Sequence, residues 1–267
     1  DRMPFQVGDQ VACMGTGFAN HADFIAVPKH LVRVIPDGVT QESASFGALG
    51  CIAIQGIRRL DLSPGERVGV IGLGLIGQIC ARLLRAMGYQ VFGTDLALER
   101  VERAKEVHGA SMWHLGETDS RGYILSQTEG NGLDGVVVCA ATGSDEPVNL
   151  AFDLCRHRGR VSVIGDVGLG LQREKMYRKE LELRVSCSYG PGRYDNDYEL
   201  AGEDYPIGHV RWTEHRSLGF FLRLLESGIL NLDSLISAHY PVDQAREAYQ
   251  SIKAGDADIF GVLIDYP

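Results

Sequence analysis

Three features that would indicate a membrane or a nucleic-acid partner are missing from this sequence. No run of apolar residues approaches the roughly 18 that a membrane-spanning helix needs. Acidic residues outnumber basic ones, 35 to 26, and the formal charge of −9 disfavours binding to nucleic acid or to an anionic membrane. The first residues, 1–4, do not resemble a secretory signal. We therefore expect a soluble, cytoplasmic protein with no membrane or nucleic-acid partner.

Closely spaced cysteines are also missing. The chain has six cysteines, and the nearest pair, Cys139 and Cys155, lies 16 residues apart. This spacing excludes a C-x-x-C motif and the short-spaced structural zinc lobes that such motifs build. Glycine, in contrast, is abundant, because 33 of 267 residues is about 12%, against an average near 7%. So much glycine predicts many tight turns or close approaches of the backbone to a ligand.

The chain alternates between patterns typical of strands and patterns typical of helices. Residues 1–36 contain short apolar runs bounded by glycine or proline, which predict β structure, including a strand at Ala22–Pro28. Residues 41–59 have helical spacing. From Val68 onward, strand patterns alternate with helical ones, which predicts βαβ units and a doubly wound parallel sheet. We expect an α/β fold in which this sheet is inserted between two pieces of a β-rich domain.

One glycine motif has a context that gives it a specific meaning. Residues 72–77, Gly-Leu-Gly-Leu-Ile-Gly, form a G-x-G-x-x-G sequence between the buried-strand pattern of residues 67–71 and a helical pattern that extends to Met87. The first glycine permits the strand-to-helix turn, the second lets the backbone approach a pyrophosphate, and the third lets helix and strand pack closely. Free N–H groups at the helix N-terminus would face the phosphates. The motif predicts dinucleotide contacts at Gly72, Gly74, Leu75, Ile76 and Gly77.

An acidic residue follows the second strand of this unit. Asp95 comes 18 residues after Gly77, and its carboxylate can accept hydrogen bonds from both ribose hydroxyls while repelling a 2′-phosphate. This favours NAD over NADP. Arg100 argues for NADP instead, because a nearby arginine can accommodate a 2′-phosphate. We expect Arg100 to flank the adenosine of NAD or to lie on a solvated helix face. Two alternatives stay open: the acid also fits a methyltransferase that binds S-adenosylmethionine, and the glycines can be structural turns only.

With this motif placed, nearly the whole chain resembles the medium-chain dehydrogenase/reductase superfamily, which includes the zinc alcohol dehydrogenases. The segments that carry the resemblance include Gly8–Val11, Ile35–Val39, Leu49–Arg58, Ser63–Glu66 and Ala104–Ala110. The resemblance implies three parts: a partial GroES-like catalytic domain (1–45), a Rossmann domain that binds NAD (46–189) and a C-terminal return to the catalytic domain (190–267).

A narrower resemblance lies in the C-terminal third. Ser188–Asp195 and Asp204–Arg216 are similar to the dehydrogenase module of bacterial two-domain oxidoreductases, a subgroup associated with sugars. Superfamily members begin with roughly another half-domain, so we expect this chain to be truncated at its N-terminus. In zinc enzymes that half-domain carries two catalytic ligands, and only Cys51 matches the later ligand position. We therefore expect Cys51 to pack between helices and the chain to bind no zinc.

The resemblance and the topology of such sheets also predict which loops face the cofactor. Ligands bind beyond the carboxyl ends of parallel strands. Three later strand patterns end just before the residues that we expect to make contact: Ala141 and Thr142, Gly165 and Asp166, and Ser188 and Tyr189. The last two loops should lie near the nicotinamide, although simple turns also explain small residues there.

Residues 189–216 hold most of the expected proton-transfer and substrate groups. Hydride transfer at a carbinol carbon needs a group that takes or returns the hydroxyl proton, and without zinc a side chain or water must do so. The catalytic candidates are Tyr189, His209 and, before a strand pattern, His21. Four residues suit a hydroxylated or acidic substrate: Arg193, Tyr194, Arg211 and Trp212. The alternative is a structural segment whose arginines and acids pair with each other.

These features predict an NAD-dependent alcohol, polyol or sugar dehydrogenase that works without zinc. The alternative is a non-catalytic dinucleotide-binding module that acts with a partner chain. The resemblance also implies a homodimer formed by the edge strands of two nucleotide domains, and Leu183–Ser188 is the candidate strand.

Overall fold

The computed structural model describes residues 5–267, apart from the side chain of Ala110. The chain begins with a two-stranded antiparallel sheet and two helices: β1 (Val11–Cys13), β2 (Val32–Val34), α1 (Gln41–Ser45) and α2 (Gly47–Leu60). The helix predicted for residues 41–59 is therefore two helices, which meet at Phe46. Thr40 caps the first of them, because its Oγ1 accepts a hydrogen bond from the Ser43 N–H at 3.1 Å.

The middle of the chain forms a six-stranded parallel sheet with helices on both faces. Its elements are β3 (Arg67–Ile71), α3 (Leu75–Ala86), β4 (Gln90–Asp95), α4 (Leu98–His108), β5 (Met112–His114), α5 (Ser120–Gln127), β6 (Leu133–Val138), α6 (Glu146–Leu154), β7 (Cys155–Val163), α7 (Arg173–Lys179) and β8 (Glu182–Val185). The strand order is β5-β4-β3-β6-β7-β8, so the winding direction reverses between β3 and β6. This confirms the predicted doubly wound sheet, and the reversal creates a crevice at the carboxyl edge of β3.

The sheet is buried on both faces because its central strands carry almost only apolar side chains. Val136, Val137 and Val138 of β6 are all fully buried, and they alternate between the two core clusters that lie on opposite faces. Helices α2 and α3 cover one face, and α6 covers the other. A continuous apolar strand of this kind is typical of a parallel sheet that is covered on both sides.

The C-terminal part returns to the N-terminal sheet and to α2. Its elements are α8 (Asn196–Glu199), α9 (Glu214–Glu226), β9 (Ile236–Pro241), α10 (Ala245–Ala254) and β10 (Gly261–Asp265). Helix α9 packs on α2, and the contact is close enough that a Cβ on Gly50 would lie 2.3 Å from the Phe221 ring. Among the helices of residues 5–267, none has the length and apolar composition needed to cross a membrane.

Some local predictions differ from the structure. The predicted strand at Ala22–Pro28 is wrong: residues 21–26 are exposed bends and coil, and the run pairs with no described strand. Its apolar residues satisfied the strand pattern, but a strand needs a hydrogen-bonded neighbour to form. Helix α9 begins at Glu214 because the Thr213 Oγ1 caps it by accepting from the Arg216 N–H. Three further elements, β5, α5 and α7, were not predicted because they are short or strongly polar.

Candidate dinucleotide-binding site

The glycine motif forms the turn between β3 and α3, at the crevice. Gly72 has a φ of +91°, and a Cβ there would lie 2.6 Å from the Ala140 nitrogen. A Cβ on Gly77 would lie 1.8 Å from the Gly72 carbonyl oxygen, so no larger residue permits this contact between helix and turn. Gly74 differs, because a Cβ there would meet only the Arg100 Nη1, at 3.9 Å. The backbone at Gly74 is therefore open to a ligand, as the approach of a pyrophosphate requires.

The N-terminus of α3 offers unpaired donors at the same place. Gly74 occupies the capping position and has no side chain to cap the helix. The N–H groups of Leu75, Ile76 and Gly77 precede the first full turn and so have no acceptor within the helix. Both Leu75 and Ile76 are half-buried, and no acidic residue lies in the first turn. The helix end is therefore suited to an anion, since its dipole and its free N–H groups act together.

Asp95 ends β4 beside this turn and is 8% exposed. Its Oδ2 accepts a hydrogen bond from the Leu73 N–H at 2.6 Å, and its Oδ1 accepts one from the Ala97 N–H at 2.8 Å. Two backbone donors thus fix the carboxylate, and each oxygen keeps a lone pair for a ribose hydroxyl. The Arg100 Nη1 lies 3.8 Å from the Asp95 Oδ2, so the expected pair of adenosine-flanking residues lies together next to Gly74.

A buried glutamine, which the sequence analysis overlooked, connects these parts. The Gln78 side chain is fully buried, and its Nε2 donates to the Leu73 carbonyl at 3.2 Å and to the Arg100 carbonyl at 3.0 Å. It therefore ties the glycine turn to α4. Its signal in the sequence was a polar residue between Gly77 and Ile79 on the inward face of a helix.

The loops after β6 and β7 reach the same crevice. A Cβ on Gly165 would lie 1.9 Å from the Ala140 carbonyl oxygen, and the Thr142 N–H donates to the Asp166 carbonyl at 2.8 Å. Ala141, Thr142 and Asp166 are exposed. The structure thus brings two of the three predicted loops into contact with each other and with the glycine turn. In the third loop, Ser188 is half-buried with a φ of +42°, and Tyr189 is buried.

The three catalytic candidates lie in different surroundings. Tyr189 is 8% exposed, its side chain is hydrogen-bonded to the Gly15 backbone, and burial raises its pKa. His21 is exposed and stacks on Tyr266 with ring centroids 6.5 Å apart. His209 is exposed in a turn that its N–H closes on the Pro206 carbonyl. Within residues 5–267, no recorded hydrogen bond or ring contact joins any two of these three.

The substrate candidates belong to a segment that pairs largely with itself. The Arg193 Nη1 lies 2.7 Å from the Glu199 Oε1, with side chains 10% and 6% exposed. Two further pairs close the segment: the Arg216 guanidinium with the Asp204 carboxylate at 2.5 Å, and the Tyr205 hydroxyl with the Asp195 carboxylate. Pairing of arginines and acids within the segment is the structural alternative to a substrate-binding surface that the sequence left open.

The other substrate candidates include exposed side chains. The Arg211 guanidinium lies 4.0 Å from the centre of the half-buried Trp212 ring, and the Arg58 guanidinium lies 3.6 Å from it. Tyr194 is 68% exposed and has a φ of +68°. Tyr194 and Arg211 are therefore the two candidates that a substrate could reach without breaking an ion pair.

A buried carboxyl pair lies behind this segment. Glu214 is fully buried, no recorded donor reaches either of its oxygens, and it lies within hydrogen-bond reach of the Glu199 carboxyl group. Burial, and then the charge on Glu199, raise the pKa of Glu214 to about 8. Arg193, which pairs with Glu199, partly opposes that shift. Glu214 is not among the site residues predicted from the sequence.

Cys51, at the expected position of a late zinc ligand, does not face the crevice. It is fully buried on α2, its Sγ lies 3.8 Å from the Glu214 carbonyl oxygen, and burial raises the pKa of its thiol. The part of the chain that the structure describes contains no group of three His, Cys, Asp or Glu side chains placed to hold a metal ion. The residues present therefore do not fit a three-ligand zinc site, and Cys51 packs between α2 and α9.

Comparison with known proteins finds similarity to dehydrogenases. A family model described as zinc-binding dehydrogenase matches residues 76–203. The "Probable D-xylulose reductase A" of Aspergillus terreus is 26% identical over 243 residues, which cover 88% of this chain and 61% of that protein. The sorbitol dehydrogenase of Halalkalibacterium halodurans is 25% identical over 241 residues, with 88% and 63% covered. These matches support the resemblance to the medium-chain dehydrogenase/reductase superfamily. It spans about three fifths of the length of these relatives.

Solved structures of dehydrogenases share the fold. The alcohol dehydrogenase rspB of Escherichia coli CFT073, complexed with NADH, superimposes with a TM-score of 0.70 at 17% identity, covering 88% of this chain and 63% of that one. A dehydrogenase of Sinorhizobium meliloti 1021 bound to NADP gives a TM-score of 0.65 at 19% identity, covering 83% and 59%. Because the two hold different nicotinamide cofactors, the preference of this chain has to be argued from its own residues.

Proposed function

We propose that this chain is the dinucleotide-binding part, with its adjoining segments, of an NAD-dependent dehydrogenase. The enzyme would transfer a hydride between the nicotinamide and a carbinol or carbonyl carbon of a polyol or sugar, without zinc. The observation that carries this proposal is the buried Asp95 carboxylate, held by two backbone donors beside the open turn at Gly74. The names of the relatives, xylulose reductase and sorbitol dehydrogenase, support a small hydroxylated substrate.

The electrostatics around Asp95 favour NAD over NADP. Two unit charges 4 Å apart repel by about 4 kcal/mol at an effective dielectric of 20. A 2′-phosphate placed at the ribose position would face this repulsion from Asp95, which cannot move because Leu73 and Ala97 hold it. Arg100 offsets only part of it, since its side chain is 35% exposed and water screens its charge. We therefore expect NADH to bind at least about tenfold more tightly than NADPH.

The remaining assignments follow the position of each residue relative to the crevice. Ala141, Thr142, Gly165 and Asp166 would line the pyrophosphate and nicotinamide, with Ser188 at the far end. Tyr194, Arg211 and Trp212 would contact the substrate, and Arg193 would hold that segment in place through Glu199. Tyr189, His209 and His21 are the candidates for proton transfer. We keep the division into residues 1–45, 46–189 and 190–267 as part of this proposal.

Calorimetric titration of the purified chain with NADH, NADPH and S-adenosylmethionine tests the cofactor assignment. We expect NADH to bind more tightly than NADPH and S-adenosylmethionine not to bind. Asp95→Ser should reduce the ratio of the two dinucleotide affinities to about threefold or less, because the repulsion is gone. Glu99→Ser is the matched control, since Glu99 is exposed on the neighbouring α4. Equal changes in the two variants, or no dinucleotide binding at all, would contradict the proposal.

A second candidate function is a non-catalytic dinucleotide-binding module that acts with a partner chain. Two observations favour it: the internally paired segment described above, and an apolar groove of about 800 Å³ beside β1 and β2. Val11 and Ile25 line this groove, and they are 38% and 43% exposed. Dinucleotide binding without turnover of any polyol or sugar, in a chain that copurifies with another protein, would support this candidate over the first.

We also propose a homodimer that forms through the edge strand β8. Its outer edge is unpaired in the described sheet, and its last residue, Val185, is 59% exposed. Sedimentation analysis of the chain and of a Val185→Lys variant tests this, since a charge on that edge should shift a dimer toward the monomer.

A further inference from the structure

Two free thiols lie in contact beneath the proposed dinucleotide site. Cys80 lies on α3, the helix that begins at the glycine turn, and Cys139 directly follows β6. The Cys139 thiol donates a hydrogen bond to the Cys80 sulfur, with the two Sγ atoms 3.7 Å apart. The contacts of other cysteines are different: the Cys51 and Cys155 sulfurs face carbonyl oxygens. The Cys80 and Cys139 sulfurs therefore lie next to each other at the carboxyl edge of the sheet, where a disulfide bond between them can form.

Both thiols belong to backbone segments that touch the glycine turn. The N–H groups of Cys139 and Ala140 donate to the Ile71 carbonyl at 2.8 and 3.2 Å. Ala140 is also the residue against which Gly72 packs, and Gly77, one helical turn before Cys80, packs against Gly72. The backbone around Gly72 and Gly77 is tightly packed, since a Cβ added at either glycine would overlap with neighbouring backbone atoms. A movement of either sulfur is thus passed to the turn.

The two thiols differ in access. Cys139 is half-buried, whereas Cys80 is fully buried. The hydrogen bond from Cys139, together with burial, raises the pKa of Cys80, so the buried thiol of Cys80 stays protonated. A small oxidant would therefore meet Cys139 first, and Cys80 is in place to react with the product.

We infer that Cys80 and Cys139 are a modification site that a hydroperoxide closes reversibly to a disulfide, and that closure reshapes the glycine turn. In the first step the Cys139 sulfur takes one oxygen from hydrogen peroxide as the O–O bond breaks, which gives a sulfenic acid and water. In the second step the Cys80 sulfur attacks the sulfenic sulfur, the hydroxyl group leaves, and it takes the Cys80 proton to form a second water. A dithiol reductant reverses the bond through thiol–disulfide exchange.

Closure has a defined structural consequence. A disulfide bond is about 2.05 Å long, so the sulfurs must approach each other by roughly 1.6 Å. Rotation of the two side chains supplies part of this approach, and we expect α3 or the Cys139–Ala140 backbone, both of which contact the glycine turn, to move for the rest. Misplacement of binding groups by about 1 Å costs up to about a hundredfold in function, and we expect dinucleotide affinity to fall by at least about tenfold. This consequence rests on the proposed function, whereas the disulfide and the change in the turn do not.

Peptide mapping tests the disulfide itself. The full chain with Cys187→Ser, which removes the exposed thiol, is treated with hydrogen peroxide, alkylated and digested with trypsin. We expect a linked pair of peptides, residues 68–82 and 122–156, that dithiothreitol separates. The second peptide carries both Cys139 and Cys155, so Cys139→Ser should abolish the link and Cys155→Ser should leave it. A chain whose thiols all alkylate after peroxide treatment, or a link that requires Cys155, would overturn the inference.

Two further readouts separate this inference from the proposed function. Hydrogen exchange of the amides in residues 72–78 should differ between linked and reduced chain, with or without a dinucleotide. Unchanged exchange there would overturn the structural part. In a chain that binds NADH when reduced, the disulfide form should bind NADH at least about tenfold more weakly. Because the two equilibria are thermodynamically coupled, bound NADH should in turn disfavour formation of the disulfide. Equal NADH affinity of the two forms would refute the effect on binding, and a chain that links but never binds NADH would refute only the proposed function.

Discussion

Replacing Glu214 with glutamine should remove a pH-dependent loss of stability. Burial and the neighbouring Glu199 charge raise the pKa of Glu214 from 4.5 to about 8 in the folded chain. The folded chain therefore keeps a proton that the unfolded chain releases above pH 4.5. Because folding takes up this proton, the contribution to stability is complete below about pH 4.5 and is lost progressively as the pH rises through 8.

The size of this effect follows from the shift. One pKa unit corresponds to 1.36 kcal/mol, so the interval from pH 5 to pH 8 contains about 4 kcal/mol if the full shift applies. If solvent reorganisation around Glu214 and Glu199 reduces the shift by about one pKa unit, the change in the free energy of unfolding is about 2 to 4 kcal/mol. Glutamine has nearly the same shape and does not ionise. The stability of Glu214→Gln relative to the unmodified chain should therefore rise by that amount between pH 5 and pH 8.

Thermal melts followed by circular dichroism at several pH values measure this difference. A change of 1 kcal/mol shifts Tm by about 2 to 4 °C in a chain of this size, so we expect the relative Tm to rise by roughly 4 to 16 °C. Comparison with the unmodified chain cancels other titrations, including those of His108 and His215, whose pKa values burial lowers to about 4. Glu203→Gln, at an exposed position of the same segment, is the control. A difference that stays constant across this range would refute the reasoning.

Three substitutions in the nucleotide domain test the packing described above. Gly77→Ala should prevent the glycine turn from forming, because its Cβ would lie 1.8 Å from a backbone oxygen, and both Tm and NADH binding should fall. Gly74→Ala should leave Tm unchanged within about 2 °C but weaken NADH binding, because its Cβ occupies only open space; equal Tm losses in the two variants would contradict this. Phe152→Ala, in the core beneath β6, should cost about 3 to 5 kcal/mol in urea unfolding, and a loss below about 1 kcal/mol would show that the site collapses.

The sheet and the geometry of the glycine turn could be predicted because their signals are local. Between Arg67 and Asp95 the strand, the glycines, the helix and the acid follow one another within 29 residues, and each position has one physical requirement. The structure brings Asp95, Arg100 and Gly74 together as the spacing indicates. Gln78 escaped prediction because a buried amide with two backbone acceptors leaves no periodic signal in a helix.

The strand at Ala22–Pro28 was predicted wrongly, and residues 189–216 stayed ambiguous, for a related reason. Strand patterns record the character of a segment but not whether a neighbour is present to pair with it. In the C-terminal segment some pairs lie within the segment, such as Arg193 with Glu199, and others reach far along the chain, such as His30 with the Tyr198 carbonyl across 168 positions. A list of tyrosines, arginines and acids cannot tell a binding surface from a self-paired one.

The two ends of the proposed site therefore differ in how freely they can change. The dinucleotide end consists of backbone contacts at Gly72, Gly77 and Gly165, where an added Cβ would overlap with backbone, so substitutions there disturb the fold and the ligand together. The substrate end rests on the buried pair of Arg193 and Glu199, while Tyr194 lies exposed above it. Exposed substitutions typically change stability by less than about 0.5 kcal/mol. Substrate preference can therefore vary through exposed residues such as Tyr194 while the buried pair and the cofactor turn remain unchanged.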